Sequence, residues 1–272
     1  MTGQQPTVYT HGHQEPVLRS HRSRTVANSA AYLRPELRPG QAVLDVGCGP
    51  GTITAELAEL VGPTGRVVAV DTSAEVLESA ARYAADRGVA NMVFEVADVH
   101  GLPYADGEFD VVHAHQVLQH LSDPVGALRE MRRVTAPGGV VAARDVDYAT
   151  MTWYPQVSEL DRWLALYRRV ARANGGEPDA GRRLLSWARE AGFTDVTATS
   201  STWTYATPEQ REWWGGLWAD RILATDIAEV AVTEGYADRV ELERIAAGWR
   251  DWVAAEDGWF AMLHGEVLAR RS

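Results

Sequence analysis

The sequence predicts an α/β fold, a mainly parallel sheet with helices on both faces. Short apolar runs alternate with helical patterns through the first 150 residues, a glycine-rich turn follows the first run, and each later run closes on a turn signal. Ala42–Val46, Val67–Val70, Met92–Val96 and Phe109–His113 read as short buried strands. A helix over Thr52–Leu60 follows the glycine turn. In the next helix Thr72 and Glu75 fit a capping box, and Val76, Leu77, Ala80, Tyr83 and Ala84 fall on one face. Asp123-Pro124 opens another helix, which Ala136-Pro137-Gly138-Gly139 ends ahead of a fifth strand, Val140–Arg144.

Beyond Tyr148 the pattern turns helical over Gln156–Ala173 and Asp179–Ala191, and Gly192 stops the second of these. Thr194–Tyr205 reads as a strand, residues 208–257 as helical, and Gly258–Ala269 as a last strand. All ten Trp lie between Trp153 and Trp259. The expected organisation is a helical cover segment over residues 1–33, a core over 34–207, a Trp-rich helical insertion over 208–257, and the last strand of the core sheet over 258–272.

With 272 residues, 46% of them apolar, the chain can bury one large core. No apolar run approaches the roughly 18 residues that span a bilayer, so no membrane span is expected. The opening from Met1 to Pro16 lacks a signal-peptide core, and the single cysteine, Cys48, allows no intrachain disulfide; both fit a cytoplasmic protein. A formal charge of −11 disfavours nucleic acid as a partner. All 26 basic residues are Arg, which excludes lysine bases and Schiff-base chemistry.

Val43-Leu44-Asp45-Val46-Gly47-Cys48-Gly49-Pro50-Gly51 is a strand running into a turn and then a helix N-terminus, where backbone can approach a ligand closely. Its Gly-x-Gly-x-Gly spacing is not the Gly-x-Gly-x-x-Gly of nicotinamide enzymes. Asp45, inside the strand, discourages a pyrophosphate and suits a cationic group, directly or through water. Asp71 ends the second strand twenty residues after Gly51, placed to accept both hydroxyls of a ribose. Asp98, in Val96-Ala97-Asp98-Val99, can accept from an adenine amino group while Val99 N–H reaches a ring nitrogen. Three acids closing three successive parallel strands line the crevice where such folds bind ligands.

On these motifs the chain resembles the class I S-adenosylmethionine-dependent methyltransferases, especially the ubiquinone and menaquinone C-methyltransferases. The match runs from about Gln41 to Phe193 through VLDVGCGPG at Val43–Gly51, VDTS at Val70–Ser73, ADVHGLPYADGEFDVV at Ala97–Val112, QVLQHLSDP at Gln116–Pro124 and the Pro137-Gly138-Gly139 turn. The resemblance implies a Rossmann-like class I methyltransferase fold of seven strands in the order 3-2-1-4-5-7-6, the last one antiparallel. It also implies S-adenosyl-L-methionine as cofactor, held by Asp45, Gly47, Cys48, Gly49, Gly51, Asp71, Thr72, Ala97, Asp98, Val99 and His115. The long helical insertion departs from the quinone enzymes.

Methyl transfer from a sulfonium needs positioning and desolvation more than acid–base help, and where a base is used histidine suits. His113, His115 and His120 surround the fourth strand's tip, and His115 is nearest its open end. The catalytic candidates are His115 with Tyr9 and His13, from the segment Tyr9–His13 that precedes the core and is placed to cover the cofactor. The stretch Val17–Leu33 looks helical, and His21, Arg22 or Arg24 can meet the methionine carboxylate. Asp145 and Asp147 follow the fifth strand without a third ligand, so no metal is expected. Trp203, Trp213, Trp214 and Trp218 can wall an apolar acceptor pocket. The expected partner is a small-molecule acceptor, a quinone precursor or secondary metabolite, with a homodimer as one option for assembly. The alternative is a catalytically silent S-adenosylmethionine-binding regulator or scaffold.

Overall fold

The structure is a computed structural model and describes residues 23–272. Eight strands form one open, mixed sheet: β1 (Ala42–Val46), β2 (Arg66–Asp71), β3 (Met92–Val96), β4 (Phe109–His115), β5 (Thr135–Val146), β6 (Thr152–Tyr154), β7 (Asp195–Tyr205) and β8 (Trp259–Arg270). β3, β2, β1, β4 and β5 lie side by side and parallel. β8 runs antiparallel to β5 along one edge and to β7 along the other. The count is eight rather than the expected seven, because β6 adds three residues to the β8 edge that β5 has left, pairing Trp153 with Phe260. Three residues between two turns carry too short a pattern to read as a strand.

Parallel strands buried on both faces need apolar residues at nearly every position, and β1 and β2 have them. Leu44, Val46, Val68, Val70 and Val112 point to one face and pack with Leu128 and Met131 of α4 (Pro124–Val134) and Ala188 of α6 (Leu184–Glu190). Val43, Val67 and Val111 point to the other, against Ile53 and Leu57 of α2 (Thr52–Val61) and Val26 of α1 (Val26–Ser29). In α3 (Ala74–Asp86) the cap is Ser73, whose hydroxyl accepts from Val76 N, rather than Thr72. The Pro137-Gly138-Gly139 turn lies within β5 as an irregularity: the register slips between Phe109 opposite Thr135 and Val111 opposite Val140. Of the stretch expected to be helical up to Leu33, the described part holds one turn, α1, which Thr25 and Asn28 cap reciprocally.

A third apolar cluster lies under β7 and β8. α5 (Ser158–Ala173), α7 (Pro208–Ala224), α8 (Asp226–Thr233) and α9 (Arg239–Ala254) enclose Trp163, Trp218, Trp249, Trp252 and Phe260. Trp163 meets Trp218 and Trp249 edge-on at centroid distances of 4.6 and 4.8 Å. α7, α8 and α9 all lie between β7 and β8 in the chain, so this cluster is built against the sheet's antiparallel end. No helix among the described residues is long and apolar enough to cross a membrane.

Candidate active site

The C-terminal tips of β1, β2 and β4 and the N-terminus of α2 open into one cavity of about 450 Å³. Gly47 and Gly49 hold the turn with φ of 66° and 54°, a region that glycine enters without strain. A Cβ on Gly47 would stand 2.5 Å from a methyl of Val117, so the turn is as close to the β4 tip as a backbone can come. Gly51 is not among the lining residues, and its bare Cα, with φ 77°, lets α2 pass over Ala80, whose Cβ would lie 2.9 Å from an added one.

The other expected cofactor residues, Asp45, Gly47, Cys48, Gly49, Asp71, Thr72, Ala97, Asp98, Val99 and His115, all line this cavity. Asp45 is side by side with His113 because β1 and β4 pair in that register. One of its oxygens lies 2.7 Å from His113 Nδ1 and the other accepts from Thr54 Oγ1 at 2.5 Å, so this carboxylate is fixed before any ligand arrives. Asp71 accepts from Gly49 N and Ser73 N, each at 3.1 Å, which ties the glycine turn to the β2 tip. Asp98 is exposed; the backbone N–H of His100 and then its ring hold the carboxyl below the usual carboxylate range. Burial pushes the Cys48 thiol up, and Asp45 and Asp71 push it further, so the thiol stays protonated and unreactive. Tyr9, His13, His21 and Arg22 lie outside the described residues.

Beyond the glycine turn the cavity continues past His115, Gln116 and His120 to Tyr148, Met262, Trp203, Trp213, Trp214 and Trp218. All four tryptophans singled out from the sequence lie on this wall, and Tyr205 stacks behind Trp214 at 4.6 Å. His115 is 6% exposed, and neither ring nitrogen has a hydrogen-bond partner among the described residues. Burial drives its pKa well below the ordinary imidazole value, and the nearby Arg24 and Arg144 guanidinium groups add to this. His120 is likewise pushed down to about 3 by burial and Arg24.

Around the β4 tip the structure adds contacts that the sequence does not show. Gln116 is the one non-glycine with positive φ, 55°, among the described residues. Held there by its N–H to Arg144 O at 2.7 Å, it accepts from Arg24 Nη2 at 2.6 Å and reaches His264 Nε2 at 3.0 Å. Arg24, one of the three residues offered for the methionine carboxylate, thus lies at the β4 tip. His264 comes from β8, 148 residues later, and no spacing rule links the two. Arg144 and Glu266, buried side by side on β5 and β8, pair at 3.2 Å under the Trp203 ring. Asp147 is taken by Arg182 at 2.6 Å, and Asp145 accepts from Gln119 N. No group of residues suited to a metal occurs among the described residues.

Known proteins resemble this chain in sequence and fold. A family model described as a methyltransferase domain matches residues 37–193. An uncharacterized methyltransferase of Schizosaccharomyces pombe is 33% identical over 271 residues, which cover 97% of this chain and 96% of the relative. A ubiquinone/menaquinone biosynthesis C-methyltransferase of Ectopseudomonas mendocina is 42% identical over 180 residues, 61% of this chain and 70% of that protein. Among solved structures, the YcgJ protein from Bacillus subtilis superposes with a TM-score of 0.57 at 18% identity, over 89% of this chain and 97% of that one. The matched family region ends at Phe193, before the first tryptophan of the cavity wall.

Proposed function

The chain belongs to the class I S-adenosylmethionine-dependent methyltransferases, and from that premise we propose that it methylates a small organic acceptor, a quinone precursor or secondary metabolite, held against the indole wall. One observation carries the reading. A single cavity joins the glycine turn to Trp203, Trp213, Trp214 and Trp218, with His115 between the two halves.

Bound at the turn, S-adenosylmethionine would supply a methyl group on a sulfonium centre, from which a neutral thioether is already a good leaving group. Asp71 is placed to accept from the ribose hydroxyls, and its bonds to Gly49 and Ser73 fix it in advance. Val99 and Asp98 stand at the β3 tip for the adenine edge. His115 is neutral at physiological pH and can take the proton of an acceptor O–H or N–H. The balance is one proton released per methyl moved: the acceptor's electron pair forms the new bond to carbon, and the carbon–sulfur pair stays on sulfur. α7 supplies Trp213, Trp214 and Trp218, and we assign residues 208–257 the cover of the acceptor end, which excludes water from the transfer. The single cysteine of the chain supports a cytoplasmic setting for the reaction.

Calorimetry with S-adenosylhomocysteine and with NAD, followed by a screen of phenols, amines and indoles with mass detection, tests the reading. Binding of S-adenosylhomocysteine but not NAD, and its release with one acceptor class, is the expected result. Tight cofactor binding with no release across the screen favours a silent binding protein instead.

A further inference from the structure

Asp45 and His113 stand opposite each other on β1 and β4, and Thr54 of α2 completes the group. None of the three is more than 3% exposed. Asp45 and His113 both line the cavity beside Gly47 and Gly49. The partners of Asp45 among the described residues are a hydroxyl and an imidazole, neither of them a guanidinium. A buried carboxylate costs far less free energy when a positive group stands close. An imidazole with one ring proton leaves the charge of Asp45 unbalanced.

The hydrogen bonds fix which atom His113 offers. A carboxylate only accepts, so the single ring proton of His113 sits on Nδ1, 2.7 Å from Asp45. Nε2 is left with its lone pair, and it has no partner among the described residues. The carboxylate behind the ring polarises it and makes Nε2 a stronger acceptor. Such a nitrogen suits a positively charged N–H donor and repels a carboxylate. In S-adenosylmethionine the adenine amino group is neutral and the sulfonium has no proton to donate. The ammonium of the methionine end is the group that has both charge and N–H.

We propose that His113 Nε2 accepts a hydrogen bond from the ammonium group of the cofactor's methionine end, with Asp45 as the positioning residue that holds the ring in its accepting form. The inference rests on the cofactor reading of the same cavity and gives that reading a further binding residue. Asp45, whose oxygens are both engaged, acts on the cofactor through His113.

The test uses full-length protein and calorimetry with three ligands: S-adenosylhomocysteine, its analogue without the amino group, and its analogue without the carboxylate. Removing the amino group should weaken binding to the parent protein about tenfold or more, the loss of one hydrogen bond from a charged donor. Asp45→Asn keeps the shape and an oxygen for Thr54 but presents N–H to His113, which moves the ring proton to Nε2. In that variant the amino group should matter by no more than about threefold, while the cost of removing the carboxylate stays as in the parent. Nitrogen NMR of the histidine-labelled parent, with His113 assigned through its own backbone, needs no variant. Its Nε2 should be unprotonated and should shift with S-adenosylhomocysteine but not with the analogue lacking the amino group. An amino-group effect of equal size in parent and variant, or an Nε2 signal that S-adenosylhomocysteine leaves unmoved, overturns the proposal. A carboxylate effect that falls in Asp45→Asn while the amino effect stays assigns His113 to the carboxylate and also overturns it. Absence of S-adenosylhomocysteine binding to the parent overturns the cofactor reading, and the proposal with it.

Discussion

His113 Nδ1 lies 2.7 Å from a carboxylate oxygen of Asp45, and both side chains are buried where β1 and β4 pair. The sequence marks Asp45 as a ligand for the cofactor's cationic end, yet its second oxygen is also engaged, by Thr54. It therefore acts first as a structural acceptor that fixes the floor of the cavity. Asp45→Ala should lower both stability and cofactor affinity, since it strands two buried donors at about 1–3 kcal/mol each. Urea unfolding of the variant measures this, and an unchanged midpoint would contradict it.

Asp71 differs, because its partners are backbone N–H groups at the rim that water can reach. Asp71→Ala should weaken S-adenosylhomocysteine binding by roughly 2–4 kcal/mol, the loss of two hydrogen bonds to a charged acceptor less the rescue by water. The melting temperature should move little. Calorimetry decides it, and unchanged affinity removes the ribose assignment.

His115→Ala should cut turnover about 10²- to 10⁴-fold for an acceptor whose O–H or N–H must lose its proton, a far larger effect than on S-adenosylhomocysteine affinity. Because burial lowers the pKa of His115, the ring stays neutral as pH falls through the ordinary imidazole range. Wild-type turnover should accordingly not fall between pH 7.5 and about 6.5, the value where an exposed histidine would titrate. A turnover profile with an inflection near that value contradicts the assignment.

The same burial makes stability depend on pH. His115, His120 and His264 have folded-state pKa values below their unfolded values, so the unfolded chain takes up protons first as pH falls. Their contribution is fully present above the unfolded imidazole pKa and is lost below it. Asp145, which burial pushes up to about 7, works the other way: its contribution is present at acid pH and is lost as pH rises towards 7. Three protons against one leave a net two, or roughly 2–3 kcal/mol per pH unit below about pH 6. Urea unfolding at pH 7 and 5 measures the slope, and His264→Gln should reduce it by about one proton. A slope that the substitution leaves unchanged contradicts the account.

The core was legible in the sequence because parallel strands buried on both faces write continuous apolar runs, and because turns need glycines at fixed places. Val43–Gly51, Val70–Ser73 and Ala97–Val99 therefore mark the half of the cavity that we assign to the cofactor. The half that we propose for the acceptor is legible only as a concentration of tryptophan. Its parts come from β4, β7, α7 and β8 and meet through tertiary packing: Gln116 and His264 touch across 148 residues. Gly51 lies against Ala80 and not on the cavity lining, a difference from Gly47 and Gly49 that the motif alone does not show. The eighth strand escaped because β6 exists only by pairing with β8.

The central claim is that one cavity brings cofactor and small acceptor together for methyl transfer. A single turnover with S-adenosylmethionine labelled in its methyl group, chased with the acceptor found by screening, tests it most directly. The account predicts one labelled methyl on the small molecule and one S-adenosylhomocysteine per active protein, with Trp213→Ala slowing the transfer while cofactor affinity holds. Label that stays on the bound cofactor, or that appears only on protein, would contradict it.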